Sequence, residues 1–118
     1  MSKCIKLLSI ADNPETQAHG LQFVRHLAEN TGMLFDFKHP RILSFWMKNS
    51  YIPLEIAFID HHNQIVKTER MIPLSMRSVT SGRPCVMALE VPSGTFNNDT
   101  VGKKITIDLE KQTVTIND

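Results

Sequence analysis

Residues 105–116 read ITIDLEKQTVTI and carry the clearest structural signal in the chain. Apolar residues occupy every second position of two runs in this stretch: Ile105, Ile107 and Leu109, then Val114 and Ile116. Successive side chains of a strand point to opposite faces, so this alternation is typical of two half-buried strands. The short polar link at residues 110–112 predicts that the two strands form a β-hairpin.

Strand-like runs continue upstream of this hairpin. They are short, mostly apolar segments at residues 3–10, 33–37, 43–48, 54–60, 64–70 and 85–91. Residues 54–60 are apolar on both faces, which predicts a central strand. Residues 71–84 are polar and are predicted to be irregular, and residues 95–101 are predicted to hold one helical turn.

One helix is predicted near the N-terminus, from about Pro14 to Leu27. Either Asp12 or Asn13 can cap its first amide groups. Pro14 suits the first turn, and Glu15 complements the positive end of the helix. Apolar residues at helical spacing follow as one stripe: Ala18, Leu21, Val24 and Ala28.

The six or seven strands and the single helix together predict an α+β fold that is mainly β. We expect a small antiparallel barrel-like or sandwich-like domain with one short helix near the N-terminus, because the strands do not alternate with helices as in a wound βαβ sheet. No repeat, linker or low-complexity tract divides the chain. Residues 1–118 are therefore predicted to form a single domain.

Composition narrows the classes of function and partner. Lysine and arginine total 13 against 12 acidic residues, so the chain lacks the basic excess that is typical of nucleic-acid binders. No apolar run approaches the roughly 20 residues of a membrane span. From the charge balance we expect no nucleic-acid partner, and from the absence of such a run we expect no membrane partner. No signal peptide is recognisable at residues 1–8, which predicts a cytoplasmic location; export would require a leader already removed. Composition predicts no oligomeric state.

Histidines and cysteines do not indicate a metal site. The chain has five histidines and two cysteines, and none has the i, i+4 or Cys-x-x-Cys spacing of a zinc site. Cys85 opens an apolar strand, which favours a small core residue over a nucleophile. Neither a metal nor a cofactor is predicted.

The segment FWMKNS at residues 45–50 contains the single tryptophan, followed closely by a cation and an amide. One interpretation is the end of a core strand, with Lys48 and Asn49 in solvent. The other is a pocket wall in which Trp46 supplies an aromatic surface and the two polar residues fix a ligand. By residue type alone, the first interpretation is favoured.

Two carboxylates lie within apolar strands. Glu55 shares a strand face with Ala57, and Glu90 shares one with Ala88. A charge in such a strand is costly unless it is paired or belongs to a site. Arg25 is a candidate partner for either carboxylate, so an ion pair and a functional site are both open.

Five segments, in order, resemble the DUF192 family of small uncharacterised bacterial and archaeal proteins, also called UPF0127. They are GLQFVRHL at residues 20–27, GMLF at 32–35, FWMKNS at 45–50, IPLEIAFID at 52–60 and ALEVPSG at 88–94. The resemblance covers about residues 10–107 and implies a compact, mainly β domain without an established activity. The chain departs from the family pattern at Gln22, Ser50, Glu55 and Lys103.

This resemblance raises six residues to a predicted ligand site: Arg25, Trp46, Lys48, Asn49, Glu55 and Glu90. The short link between residues 48 and 55 predicts that the strands on either side of it are antiparallel neighbours, which would bring Lys48 beside Glu55. The first functional hypothesis is a module that binds a sugar or an organic acid. A protein-interaction or accessory domain ranks second. A hydrolase-like enzyme with Glu55 and Glu90 as an acid–base pair ranks third, because the chain shows no complete nucleophile–base–orienter set.

Overall fold

A computed structural model describes residues 2–118, which form one seven-stranded sheet and one short helix. The elements are β1 (Lys3–Ala11), α1 (Pro14–His19), β2 (Thr31–Phe45), β3 (Leu54–Ile59), β4 (Ile65–Met71), β5 (Val79–Pro92), β6 (Ile105–Asp108) and β7 (Thr113–Ile116). The prediction of a mainly β, α+β fold with one short N-terminal helix is confirmed. Within residues 2–118, no helix has the length and hydropathy that a membrane span requires.

The strand order is β4-β3-β5-β2-β1-β7-β6, and every neighbouring pair is antiparallel except β1 with β2. Because β1 and β2 are parallel, α1 and the loop after it cross over between them. Gly32 allows β2 to lie this close to β5, since a Cβ atom there would come within 2.5 Å of the Glu90 carbonyl oxygen. The two long strands β2 and β5 form the centre of the sheet.

The sheet curls until its two edge strands meet at one corner, which makes a half-barrel. Gln64 forms an isolated antiparallel bridge with Lys104. Beside it, the Ile65 amide donates to the Lys103 carbonyl and the Ile105 amide donates to the Asn63 carbonyl, each at 2.8 Å. The start of β4 is therefore joined by backbone hydrogen bonds to the start of β6.

Each face of the sheet carries its own apolar core. The inner core lies inside the curl and draws on strands from both ends of the sheet: Ile5, Leu7, Leu34, Ala57, Ile59, Ile65, Val86, Met87, Leu89, Val91, Ile105, Val114 and Ile116. The outer core lies on the other face: Ala11, Leu21, Met33, Phe35, Leu43, Met47, Leu54, Ile56, Phe58, Met71, Val79, Cys85 and Ala88. Loop residues such as Leu21 and Met47 cover this outer face, where the candidate site described below lies.

The predicted helix is too long, because α1 ends at His19 and not near Leu27. Gly20 has a positive φ of 54° and its amide donates to the Thr16 carbonyl, so the chain leaves the helix at this residue. Phe23 also has a positive φ, which a continuing right-handed helix does not permit. The apolar stripe survives in part, since Leu21 still packs on the outer core.

Three further predictions also change. The two predicted strands at residues 33–37 and 43–48 are one strand, β2, interrupted by an irregularity between Asp36 and Arg41. β5 begins at Val79, within the stretch predicted to be irregular. Residues 95–101 form turns and no helical turn. The predicted C-terminal hairpin is confirmed as β6 and β7.

The expectation that the strands on either side of residues 46–53 are neighbours is wrong. β5 lies between β2 and β3 and pairs antiparallel with both. The link must therefore cross over β5, and it does so on the outer face, where Met47 and Ile52 pack on the outer core. As a result, residues 46–50 lie above the sheet instead of at the end of a strand.

Candidate functional site

A cavity of about 480 Å³ opens on the outer face, between α1 with its following loop, β2 and the crossing segment. Phe35, Phe45 and Trp46 supply aromatic surface to its lining. Phe35 and Phe45 lie edge to face, with ring centroids 5.0 Å apart. Polar groups on the lining include Asp12 and Arg41. An aromatic lining with a few polar groups is the usual composition of a small-molecule pocket.

Glu90 lines this cavity from the central strand β5. It lies between Met33 of β2 and Ile56 of β3, and only 4% of the residue is exposed. Its carboxyl group has no hydrogen bond or ion pair with any residue in 2–118. Burial raises the pKa of Glu90 to about 8, because the charged form loses its hydration. Glu90 is thus a buried and unpartnered carboxyl group that faces a cavity.

Trp46 and Lys48 form one unit at the mouth of the cavity. Trp46 is 45% exposed and lines the cavity, whereas the polar residues expected to fix a ligand beside it, Lys48 and Asn49, do not line it. Lys48 is exposed, and its Nζ atom lies 5.4 Å from the Trp46 ring centroid, within cation–π range. Lys48 does not line the cavity, and it contacts the site only through the tryptophan.

Asn49 and Ser50 hold the crossing segment in place. Asn49 adopts a positive φ of 56°, which asparagine tolerates better than most residues, and its carbonyl accepts a hydrogen bond from the Phe23 amide at 2.8 Å. The Ser50 carbonyl accepts from the Leu74 amide at 2.9 Å. Asn49 therefore joins two loops through its backbone. Of these two residues, Ser50 is the one that lines the cavity.

Arg25 does not neutralise either glutamate. Its guanidinium carbon lies 4.8 Å from the centroid of the Tyr51 ring, and the residue is exposed. In the described residues it forms no ion pair with Glu55 or Glu90. The expectation of an Arg25–carboxylate pair is therefore corrected: this arginine binds an aromatic face outside the cavity.

Glu55 lies on the opposite face of the sheet from Glu90. Its Oε1 atom accepts hydrogen bonds from the Gly94 amide at 3.0 Å and from the Phe96 amide at 3.1 Å. These bonds fasten the turn that follows β5. The expectation that Glu55 lies beside Lys48 and Glu90 is wrong, and the two carboxylates cannot act on one substrate as an acid–base pair.

The fastening role of Glu55 predicts a stability change. Glu55→Ala should lower the free energy of unfolding by about 2 kcal/mol, because two backbone amides lose a charged acceptor. Glu55→Gln retains an acceptor oxygen and should cost less than about 1 kcal/mol. Urea unfolding of the three proteins measures both values. Equal stability of Glu55→Ala and the wild type would show that these bonds do not hold the turn.

The sequence reasoning missed several polar residues of the cavity, among them Gln17, Asp36 and Arg41. Arg41 lies over the Phe37 ring, with its guanidinium carbon 4.4 Å from the centroid. Asp36 and Arg41 flank the irregularity of β2, and they reach the cavity because β2 pairs with β5 at a distance along the chain. No local pattern in the sequence signals that pairing.

Other reactive groups do not form a second site. Residues 2–118 contain no group of three or more His, Cys, Asp or Glu side chains that could hold a metal ion. Cys85 is buried in the outer core, and burial raises the pKa of its thiol, with a further contribution from the nearby charge of Asp60. A raised pKa makes this cysteine a poor nucleophile.

Comparisons with known proteins place the chain among uncharacterised relatives. The family model DUF192, described as "Uncharacterized ACR, COG1430", matches residues 3–107. A protein from Sinorhizobium meliloti 1021, described as a proposed transcription regulator, has a similar structure: TM-score 0.76, 28% identity, and coverage of 97% of this chain and 89% of that one. A protein of unknown function from Novosphingobium aromaticivorans DSM 12444 gives a TM-score of 0.71, 26% identity, and coverage of 79% and 72%. No curated protein matches the chain.

Proposed function

The chain belongs to the DUF192 family, and we propose that it is a module that binds a small polar ligand in the cavity beside Glu90. The observation that carries this proposal is the Glu90 carboxyl group, which is buried, unpartnered and on the cavity lining. The carboxyl oxygens of Glu90 remain accessible from the cavity, because no fully enclosed side-chain oxygen in residues 2–118 lacks a hydrogen-bond partner. A polar group that enters the cavity can therefore bond to these oxygens in place of solvent.

Of the two ligand classes expected from the sequence, a sugar fits the cavity better than an organic acid. A sugar ring has an apolar face that can stack on Trp46, and hydroxyl groups that can bond to Glu90 and Ser50. An organic acid would meet three carboxyl groups in the cavity lining, which are those of Asp12, Asp36 and Glu90. Arg41 is the one Lys or Arg residue among the described lining residues that could pair with the acid.

The alternative of a protein-interaction domain has support from a different observation. The loop at residues 72–76 exposes Ile72, Leu74 and Met76 by 66%, 56% and 59%. This loop bonds to the crossing segment through the Leu74 amide and the Ser75 carbonyl. A partner on this surface would sit beside the cavity mouth. The balance of charges, 13 basic against 12 acidic residues, gives no support to a nucleic acid as that partner.

Fluorescence of the single tryptophan tests ligand binding directly, because Trp46 lies at the cavity. Sugars and organic acids are titrated up to about 10 mM while emission and melting temperature are recorded. A ligand that binds only the native state must raise the melting temperature. We expect a sugar to change both signals in the wild type.

Two variants with the same substitution on opposite faces of the sheet supply the control. Glu90→Gln should weaken binding by about tenfold or more, and Glu55→Gln should bind as the wild type does. Equal weakening by both variants, or a signal from no compound in the panel, would overturn the proposal.

A further inference from the structure

We propose that the ligand of this cavity carries a cationic amine, and that the amine pairs with the carboxylate of Glu90. This inference rests on the proposed function and names the charge of the ligand. It concerns ammonium groups attached to a ring or a chain, as in an amino sugar or an alkylamine. Three features support it: the charges that line the cavity, the aromatic surface beside them, and the absence of an ion pair or hydrogen bond from Glu90 to any residue in 2–118.

The charges of the cavity lining favour a cation. Asp12 and Asp36 line it together with Glu90, and Arg41 is its one Lys or Arg side chain among the described residues. Arg41 lies over the Phe37 ring and makes no ion pair with Glu90. Lys48 lies outside, over Trp46. When Glu90 ionises, the lining carries three carboxylates against one guanidinium, and an added positive charge lowers that repulsion.

The aromatic side chains of the lining also favour a cationic ligand. Phe35, Phe45 and Trp46 supply ring surfaces to the cavity. The faces of aromatic rings are electron-rich and attract ammonium groups, more strongly where water is excluded. An amine with an apolar body therefore gains from the rings as well as from the carboxylate, whereas a neutral alcohol of the same shape gains only from packing.

Pairing of the Glu90 carboxylate with an amine must also displace the proton that Glu90 carries in the free protein. With a pKa of about 8, Glu90 is about 0.9 protonated at pH 7 in the free protein. A cation beside it lowers that pKa, so binding should release up to about one proton at pH 7 and almost none above pH 9. The other titratable or charged groups on the lining are Asp12, Asp36, His19 and Arg41.

Matched probes separate this inference from the proposed function. The first set is benzylamine, benzyl alcohol and benzoate, and the second is glucosamine, glucose and glucuronate. Calorimetric titrations at pH 7 in phosphate and in Tris give the affinity and, from the difference in heat, the protons released. We expect benzylamine to bind about tenfold or more tightly than benzyl alcohol, and benzoate to bind most weakly.

Variants assign the effect to Glu90. In Glu90→Gln the advantage of the amine over the alcohol and the proton release should both disappear, while Glu55→Gln should keep both. If the alcohol or the acid binds as tightly as the amine, or if proton release persists in Glu90→Gln, this inference is overturned while binding at the cavity stands. If none of the six compounds binds, both proposals fail.

Discussion

Raising the pH from about 4.5 to 9 is expected to lower the free energy of unfolding by roughly 5 kcal/mol through Glu90 alone. Below pH 4.5 the carboxyl group is protonated in the folded and the unfolded chain, and it has no effect. Between pH 4.5 and 8 the unfolded chain has lost the proton and the native chain keeps it, so each pH unit favours unfolding by about 1.4 kcal/mol. Above pH 8 both states are ionised and the loss reaches its limit.

Urea unfolding across this pH range measures the effect as a difference between proteins. Glu90→Gln has no titrating group at this position and should lack the downward slope, while Glu55→Gln should keep the slope of the wild type. The comparison isolates Glu90 from every other group that ionises over this range. A Glu90→Gln protein with the pH dependence of the wild type would show that Glu90 is not buried as a neutral acid.

Phe58→Ala is expected to lower the free energy of unfolding by about 3–5 kcal/mol. Phe58 is fully buried in β3, next to Ala88 of β5, and its ring centroid lies 6.0 Å from that of Phe45. Truncation removes the ring and leaves a cavity in the outer core that the rigid sheet cannot fill. Because Phe45 lines the cavity, the same change should also weaken the binding proposed there.

A second phenylalanine-to-alanine variant, at an exposed position, shows whether the loss of stability depends on burial of the ring. Phe23 is 56% exposed, and its ring contacts those of His19 and Tyr51 at the surface. Phe23→Ala should therefore cost less than about 1 kcal/mol in the same urea experiment. Losses of equal size in the two variants would contradict the assignment of Phe58 to the outer core.

The sequence predicts the elements of this fold better than their arrangement. The hairpin of β6 and β7 follows from the alternation of apolar and polar residues that a half-buried strand shows. The strand β3 follows from a run that is apolar on both faces, as in a strand buried on both sides. The placement of β5 between β2 and β3 has no such local signal. A link of eight extended residues reaches up to about 27 Å, several times the roughly 4.8 Å between strands, so its shortness does not require neighbouring strands.

The lack of a local signal for strand pairing also explains why the sequence could not show which of the predicted site residues lie together. Glu55 and Glu90 give one signal in the sequence, a carboxylate within an apolar strand. Alternation shows that Glu55 shares a face with Ala57 and that Glu90 shares one with Ala88, but it cannot match the faces of two different strands. The register of β3 on β5 decides that question, and it places Ile56 beside Glu90. Trp46 and Glu90 meet at one cavity because the crossing segment passes over this face.

The closed corner of the half-barrel bears on how the protein avoids aggregation. A free edge strand offers unpaired amides and carbonyls to the edge of another molecule. Here the bridge between Gln64 and Lys104 uses the start of both edge strands for pairing within one chain. The rest of β4 carries Lys67, Glu69 and Arg70, and β6 is only four residues long, so neither edge gives a long apolar template. We therefore expect copies of this chain to resist edge-to-edge association even though β3 and residues 85–91 of β5 are almost entirely apolar.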